Sequence, residues 1–438
     1  MLQSQTNFSP TGRPRLIAFA VAVWIAAAWL YTWSPAAFPA HWLVPHATSL
    51  YHELTDGFLA GHLHVTRTPD PRLVALPDPY DPAANAPYRV NDLSYHDGRY
   101  YFYPSAVPVL LLFAPVKILT GSHLTETGAC AVFTIAGLAT ALAFLLVLHR
   151  RFFPAAPSSL VAGAMVALAL CQGYHVAIRS ESYNLVPITC AHFWLMLALL
   201  TLLQALRDTG GVRWLAAASL AYALAIASRP NYLLGAATLL VPVVIWWRAD
   251  GWRPSRALLG RLLAVGLPML TVATILLAYN LARFGRLAEF GMSLQLGAWD
   301  QRTMGGLSLA NVPDNAWHYL LGPGDYHATF PYVTAPFWTA PGVIWHAPVV
   351  LLALLLPALW PKLSTAARAA LLLPLIVAIL NLGFLLLFPS GDPVAVRTSA
   401  NARYLFDFLP AWVLLAAGTT VAAAARPSTT PGRGALVY

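Results

Sequence analysis

Residues 128–148 read GACAVFTIAGLATALAFLLVL without a single charged side chain, and His149-Arg150-Arg151 follows at once. About 20 consecutive apolar residues are what an α-helix needs to cross the hydrocarbon core of a bilayer. Lysine and arginine gather on the cytoplasmic side of such crossings. This one stretch therefore predicts a membrane-spanning helix that enters from outside and ends at the cytoplasmic face.

Working outward, nine further apolar runs have the same character, at 15–33, 158–176, 184–206, 213–229, 231–247, 259–281, 342–360, 367–388 and 404–424. The chain as a whole is 58% hydrophobic and 10% charged, with a mean hydropathy of +0.62. A soluble domain could not bury that much apolar surface, because much of any folded surface still meets water. The fold class expected is an all-α polytopic integral membrane protein of about ten transmembrane helices. The run from Leu16 to Trp33 is longer than the apolar core of a signal peptide, so it reads as an uncleaved anchor. Cys130, Cys171 and Cys190 fall within or at the ends of apolar runs and read as packing residues. No cysteine–histidine spacing resembles a zinc site.

With the N-terminus cytoplasmic, the inner segments hold fourteen of the 26 basic residues and only Asp208 and Asp250 among the acids. The inside then carries +12 and the outside −3, which together give the formal net charge of +9. The basic balance reflects topology in the membrane and gives no support to nucleic-acid binding. Both tails, 1–14 and 425–438, are placed in the cytoplasm, and the location expected is the plasma (inner) membrane. The module between them, 15–424, has two long outer loops, 34–127 and 282–341. Loops of that length usually have a task. Within the first, 105–119 is apolar but too short to span comfortably and contains Pro108 and Pro115. It reads as an interfacial or re-entrant helix.

Candidate chemistry collects in that first loop. Ser49 to His62 (SLYHELTDGFLAGH) reads as a short helix ending at Gly61. Glu53 and Asp56 share one face of it, as a general base or metal ligand would require, or as a solvated face would equally produce. Asp78 and Asp81 in PDPYDP (77–82) read as turn formers. In NDLSYHDGRYYFYP (91–104), His96-Asp-Gly-Arg99 suits a type I′ hairpin, which makes Asp97 structural and leaves Asp92 with no turn role. Tyr95, Tyr101 and Tyr103 suit either an interfacial belt or stacking on a sugar ring. Arg179, Arg229, Arg403 and Lys117 lie near the outer boundary. Each could simply snorkel to the headgroups, but Arg229, in Ser228-Arg-Pro-Asn231, sits between two closely spaced spans. Ionisable groups at such depth default to functional hypotheses, and arginine binds phosphate through paired N–H donors. Asp407, four residues after Arg403, is placed to pair with it. No P-loop, nucleophile triad or HExxH motif is present.

The layout resembles the GT-C superfamily of membrane glycosyltransferases. The residues that carry the resemblance are the helix Tyr51 to Gly61, GRYYFYP (98–104) leading into VPVLLLFAP (107–115), and LTG (119–121). Downstream they are SRPN (228–231), YNLARFG (279–285) with EFG (289–291), and Arg403-Tyr404. The resemblance implies a sugar taken from a polyprenyl-phosphate donor at the outer face, by an inverting displacement. A loop carboxylate, Asp56, Asp92 or Glu53, would act as base. Arg229, Arg403, Arg179 and Lys117 would hold the donor phosphate, and Tyr95, Tyr101, Tyr103 and Asn231 the substrate. The partners implied are the polyprenyl-phosphate sugar, membrane lipids and an acceptor glycan, lipid or protein. A divalent cation is compatible with this chemistry, and no cluster in the sequence demands one. The chain departs from the family where many members carry adjacent acids directly after the first span; here His46 and Thr48 stand at roughly that place. Two other readings remain: a transporter of lipid or polar solute, and a non-catalytic partner in envelope glycan assembly.

Overall fold

The computed structural model describes residues 12–33, 42–174, 178, 182–206, 211–303, 305–323, 325–326, 329, 333–334, 341–389 and 402–425. The apolar runs form an all-helical membrane bundle. Its principal helices are α1 (Gly12–Thr32), α2 (Leu50–Leu59), α3 (Ala114–Thr120), α4 (Glu126–Phe152), α5 (Ser158–Cys171), α6 (Val186–Ala205), α7 (Gly211–Ser228), α8 (Leu240–Ala249), α9 (Arg256–Phe284), α10 (Thr365–Leu387) and α11 (Leu409–Ala424). Six helical stretches among the described residues are long and apolar enough to cross a membrane by themselves, at Pro14–Thr32, Glu126–Phe152, Tyr183–Ala205, Gly211–Ser228, Arg256–Phe284 and Thr365–Leu387.

Two of the expected spans are not continuous α-helices. Leu234–Leu239 and Pro348–Leu355 are 3-10 helical and lead into α8 and the short helix Leu356–Leu359. Prolines at 348, 357 and 361 remove backbone donors in the second case. A 3-10 helix rises about 2 Å per residue, so these stretches reach further per residue than an α-helix would.

In a bilayer, apolar burial does not drive helices together, so packing and a few polar contacts decide their arrangement. α6 packs between α4 and α7, and α7 also packs on α9. α1 lies against α4 and α5: Trp24 Nε1 donates to Ile135 O at 2.8 Å, and the Tyr31 hydroxyl bonds to Ala169 O. α9, by contrast, shows most of its length to the surroundings, with Leu259, Leu262, Leu267, Leu270 and Ile275 all exposed. It is a lipid-facing helix.

The long first loop folds compactly against one end of this bundle. Ser49 caps α2 by accepting from His52 N–H, and Leu50, Tyr51 and Leu54 are buried beneath it. The hairpin forms in the expected register, β1 (Leu93–His96) with β2 (Arg99–Phe102), pairing His96 with Arg99. Asp97 and Gly98 have φ of 47° and 73°, the left-handed pair that a type I′ turn requires. Asp78 accepts from Tyr80 N–H, and Asp81 caps the turn at Pro82–Asn85. The apolar stretch after the hairpin becomes Val109–Phe113 plus α3, ending at left-handed Gly121. It leaves Leu110, Leu111, Ile118 and Leu119 exposed, as an interfacial helix would.

The second long loop joins the hairpin through its main chain. Asp92 N–H donates to Leu296 O, Leu296 N–H to Leu93 O and Tyr95 N–H to Leu294 O. Gly291 makes the approach possible. Its φ is 87°, and a Cβ there would lie 2.7 Å from Ser94 Oγ.

Candidate functional site

The ends of five bundle segments and both long loops converge on one cavity of about 220 Å³. Tyr103 to Ala106 come from the first loop, and Phe290 and Met292 from the second. Asn184 and Pro187 come from the start of α6, Ala227 to Asn231 from the end of α7 and the turn after it, Leu276, Tyr279 and Arg283 from the end of α9, Phe388 from just beyond α10, and Arg403 and Tyr404 from the approach to α11. These are the helix ends that the charge bias assigns to a single face.

Three guanidinium groups line this cavity. Arg229 is held by Asp407, with Nε to Oδ1 at 2.5 Å and Nη2 to Oδ2 at 2.9 Å. Asn231 Nδ2 donates to Asp407 Oδ2 at 2.8 Å, and Asn381 Nδ2 to its backbone oxygen at 2.8 Å. Asp407 is fully buried, so this pair has the paired, hydrogen-bonded geometry that a buried charge needs. The expected Asp407–Arg403 pairing is therefore replaced by one across the bundle: the turn Ser228–Asn231 reaches Asp407 before its own neighbour can.

Arg403 and Arg283 have no carboxylate partner among the described residues. The Nε of each is buried without a hydrogen-bond acceptor. Arg283 is 5% exposed, donates to Asn280 Oδ1 at 2.7 Å, and lies 3.9 Å from the centre of the Tyr279 ring. Tyr404 carries the other two cations, with both the Arg229 and the Arg403 guanidinium carbons 5.2 Å from its ring centre. Cation–ring contacts of this kind position a charge without cancelling it.

Asp92 does not line the cavity itself; it is held by Tyr183, the residue before the wall residue Asn184. It sits at φ 64°, an unusual backbone for a non-glycine residue. The Tyr183 hydroxyl donates to its Oδ2, and Gln295 Nε2, from the second loop, donates to Oδ1 at 2.5 Å. Tyr103 links it to the cavity wall. Burial pushes the Tyr103 phenol up to about 12, Asp92 adds to the rise, and Arg403 and Arg229 oppose it. Two guanidiniums without an ion-paired carboxylate among the described residues thus line the hollow, and Asp92 lies behind its wall, near enough to Tyr103 for its charge to act on that phenol.

Other residues with expected roles lie elsewhere. Glu53 is clamped by Arg67, at 2.6 Å to Nη2 and 3.1 Å to Nε, which makes it a strut of the first loop. Asp56 lies 3.3 Å from His123 Nε2, and Lys117 Nζ is 3.0 Å from the same nitrogen; neither lines the cavity. Tyr95 is packed inside the loop, and Tyr101 packs on Phe284 with ring centres 5.2 Å apart. Arg179 lies outside the described residues. Arg229, Arg403, Tyr103 and Asn231 are brought together in the wall. Arg283, Tyr183 and Gln295 carried no role in the sequence reading. An arginine in the last turn of a span looks like a snorkelling residue, and only the missing carboxylate partner, visible in three dimensions, separates it from one.

Among the described residues no group of three or more His, Cys, Asp or Glu is placed to hold a metal ion, both Asp92 oxygens already accept hydrogen bonds, and the cavity wall is cationic.

No protein-family model matches the sequence, and no curated protein is similar to it. The chain is similar to a solved structure described as the crystal structure of ArnT from Cupriavidus metallidurans bound to undecaprenyl phosphate. The TM-score is 0.41 and the identity 14%, over 94% of this chain and 60% of that one. The chain thus spans about three fifths of that protein's length. Likeness of this degree assigns neither activity nor site residues.

Proposed function

We propose that the protein is a membrane glycosyltransferase of the GT-C type, moving a sugar from a polyprenyl-phosphate donor to an acceptor hydroxyl at the non-cytoplasmic face. The observation that supports the reading is the pair Arg283 and Arg403, two guanidiniums lining one cavity with no ion-paired carboxylate among the described residues. Burying a charge without a partner is costly, and an anionic ligand would offset that cost. Arginine forks match phosphate oxygens, and the apolar Leu276, Phe290, Met292 and Phe388 beside them suit the first carbons of a lipid chain.

In this reading Asp92 is the base. It takes the acceptor hydroxyl's proton as that oxygen attacks the anomeric carbon from the face opposite the phosphate, so the configuration inverts. The phosphate leaves with the bonding electron pair, and the arginines stabilise the charge that accumulates on it. Tyr183 and Gln295 hold the carboxylate in place. Tyr103 and Asn231, both in the cavity wall, would contact the sugar. A transporter would place its polar groups at mid-membrane; here Arg283 and Arg403 stand at the helix ends.

Purified protein incubated with a panel of polyprenyl-phosphate sugars and acceptors should release polyprenyl phosphate from at least one of them. Asp92→Asn should slow that release by about 10²–10⁴-fold, the usual contribution of a positioned base. Undiminished release by the variant would remove Asp92 from the mechanism.

A further inference from the structure

Part of the second long loop turns its polar side inward and its apolar side outward. Residues 309–321 run as one helical stretch, 3-10 at Leu309–Asn311, α at Val312–Ala316 and π at Trp317–Leu321. The Asn315 side chain is buried, and its Nδ2 lies within 3.1 Å of the backbone oxygens of Leu385, Leu386 and Phe388. Asn311 Nδ2 donates to Leu387 O at 3.0 Å, and Ser308 N–H to the same oxygen at 2.9 Å. These carbonyls close the end of α10, where a helix has no partners of its own to offer. The amides of the stretch are thus spent on the end of a span.

The opposite side is apolar. Leu309, Pro313, Trp317 and Leu321 fall four apart and so form one row along the stretch, and all four are exposed, Leu309 by 80%. Leu307 extends the row at one end. At the other, the exposed Trp345 donates its indole N–H to Leu321 O at 2.8 Å. Asp314 is the only acidic or basic residue between 303 and 324, and it shares the neighbouring row with His318. An exposed apolar row of this kind marks an interaction surface.

Its depth decides the occupant. α10 has 23 residues, about 35 Å of helix, which crosses a hydrocarbon core of about 30 Å. The charge bias puts Arg368 and the start of α10 at the cytoplasmic side, so Leu385 to Phe388 stand at the outer boundary. A stretch bonded to those carbonyls stands at the same level. Tryptophan is enriched at that level, and a helix lying in the interface plane sinks its apolar side into the acyl boundary.

We propose that residues 307–321 and Trp345 form an interfacial wedge, with the row from Leu309 to Leu321 seated in the outer leaflet where headgroups meet acyl chains. The second long loop is then anchored in lipid on one side and to α10 on the other. Phe388, whose oxygen faces Asn315, lines the cavity, so the wedge holds that rim of the cavity at the level of the headgroups. Nothing in this depends on what the cavity binds.

The test places a nitroxide on a single introduced cysteine in the full-length protein, reconstituted in vesicles of phosphatidylethanolamine and phosphatidylglycerol. Cys130 and Cys190 are buried and Cys171 is half-buried, so protein without an introduced cysteine is the blank. Molecular oxygen concentrates among the acyl chains, while a nickel chelate supplied on both sides of the bilayer stays in water. Labels at Leu309→Cys and Trp317→Cys should collide readily with oxygen and lose most of their collisions with nickel. A label at Arg72→Cys, an exposed position of the first loop, should show the reverse. Leu309 is so exposed that its replacement removes little packing, which keeps the test open if Trp317→Cys does not fold. Nickel collisions at Leu309 equal to those at Arg72 would place the row in water and overturn the proposal. Loss of collisions with both reagents would mean that a second copy or another protein covers the row, and overturns it as well.

Discussion

At the scale of single residues, two carboxylates of the cavity region have opposite tasks. Asp407 is buried and spends both oxygens on Arg229 and Asn231; it holds the end of the bundle together. Removing one partner of such a pair leaves the other charge buried and alone, which costs about 3–5 kcal/mol. Arg229→Ala should therefore lower the thermal midpoint in detergent sharply, and a midpoint within a degree of the native one would contradict the pairing. Asp92 has lighter support, from one tyrosine and one glutamine. Gln295→Leu removes one donor to a charged group, worth about 1.5–3 kcal/mol. It should lower kcat for transfer while leaving the KM for the donor lipid nearly unchanged. A rise in KM alone would mean that Gln295 contacts the lipid and does not orient the acid. The sequence offers Asp92 only by elimination, as an acid without a turn role, and contains no sign of Tyr183 or Gln295, because their partnership with Asp92 spans 91 and 203 positions.

Among the elements, the helices and the hairpin were legible because each carries its signal locally: apolar runs of spanning length, a glycine stop at Gly61, Asp-Gly at the hairpin turn. What could not be read locally is how the loops meet. The second long loop supplies Gln295 to Asp92, lends main-chain bonds to the hairpin, and ties Arg302 to Asp78 at 2.7 Å and to Asp300 at 2.6 Å. That tie is exposed, and exposed pairs contribute about 0–1 kcal/mol. Arg302→Ala should thus shift stability little, and a large loss of midpoint would show the loops to be held mainly by this clasp. The first loop has a more sensitive spot at His123. Burial holds its imidazole below the ordinary 6.5, with Asp56 opposing the shift. A depressed histidine favours the fold while neutral, so its contribution is intact above about 6.5 and is lost as the pH falls below that value. The thermal midpoint should decline on acidification below about pH 6.5, and less steeply in His123→Gln. An identical slope in the variant would free His123 of that role.

For the whole molecule, the sequence yields the membrane class and the helix order, while the site emerges only when five segment ends are brought to one place. The arginines illustrate the difference. Four cationic positions, Arg179, Arg229, Arg403 and Lys117, were candidates along the chain, with Arg229 singled out by its place between two spans. In three dimensions Arg229 is neutralised by Asp407, Arg403 has no ion-paired carboxylate among the described residues, Lys117 sits with His123, Arg179 lies outside the described residues, and the unassigned Arg283 joins the cavity wall. The charge bias predicts that this cavity opens away from the cytoplasm. Single cysteines placed at Asp70 and at Asp250 should be labelled from opposite sides of intact cells or inverted vesicles, Asp70 from outside; labelling of both from one side would refute the topology. The account as a whole depends on unneutralised guanidiniums holding an anionic lipid head. The most direct measurement is native mass spectrometry of the detergent-purified protein with undecaprenyl phosphate, comparing the native chain with the double variant Arg283→Gln, Arg403→Gln. The account predicts a retained lipid on the native protein and its loss from the double variant at the same lipid concentration, and equal retention by the two proteins would contradict it.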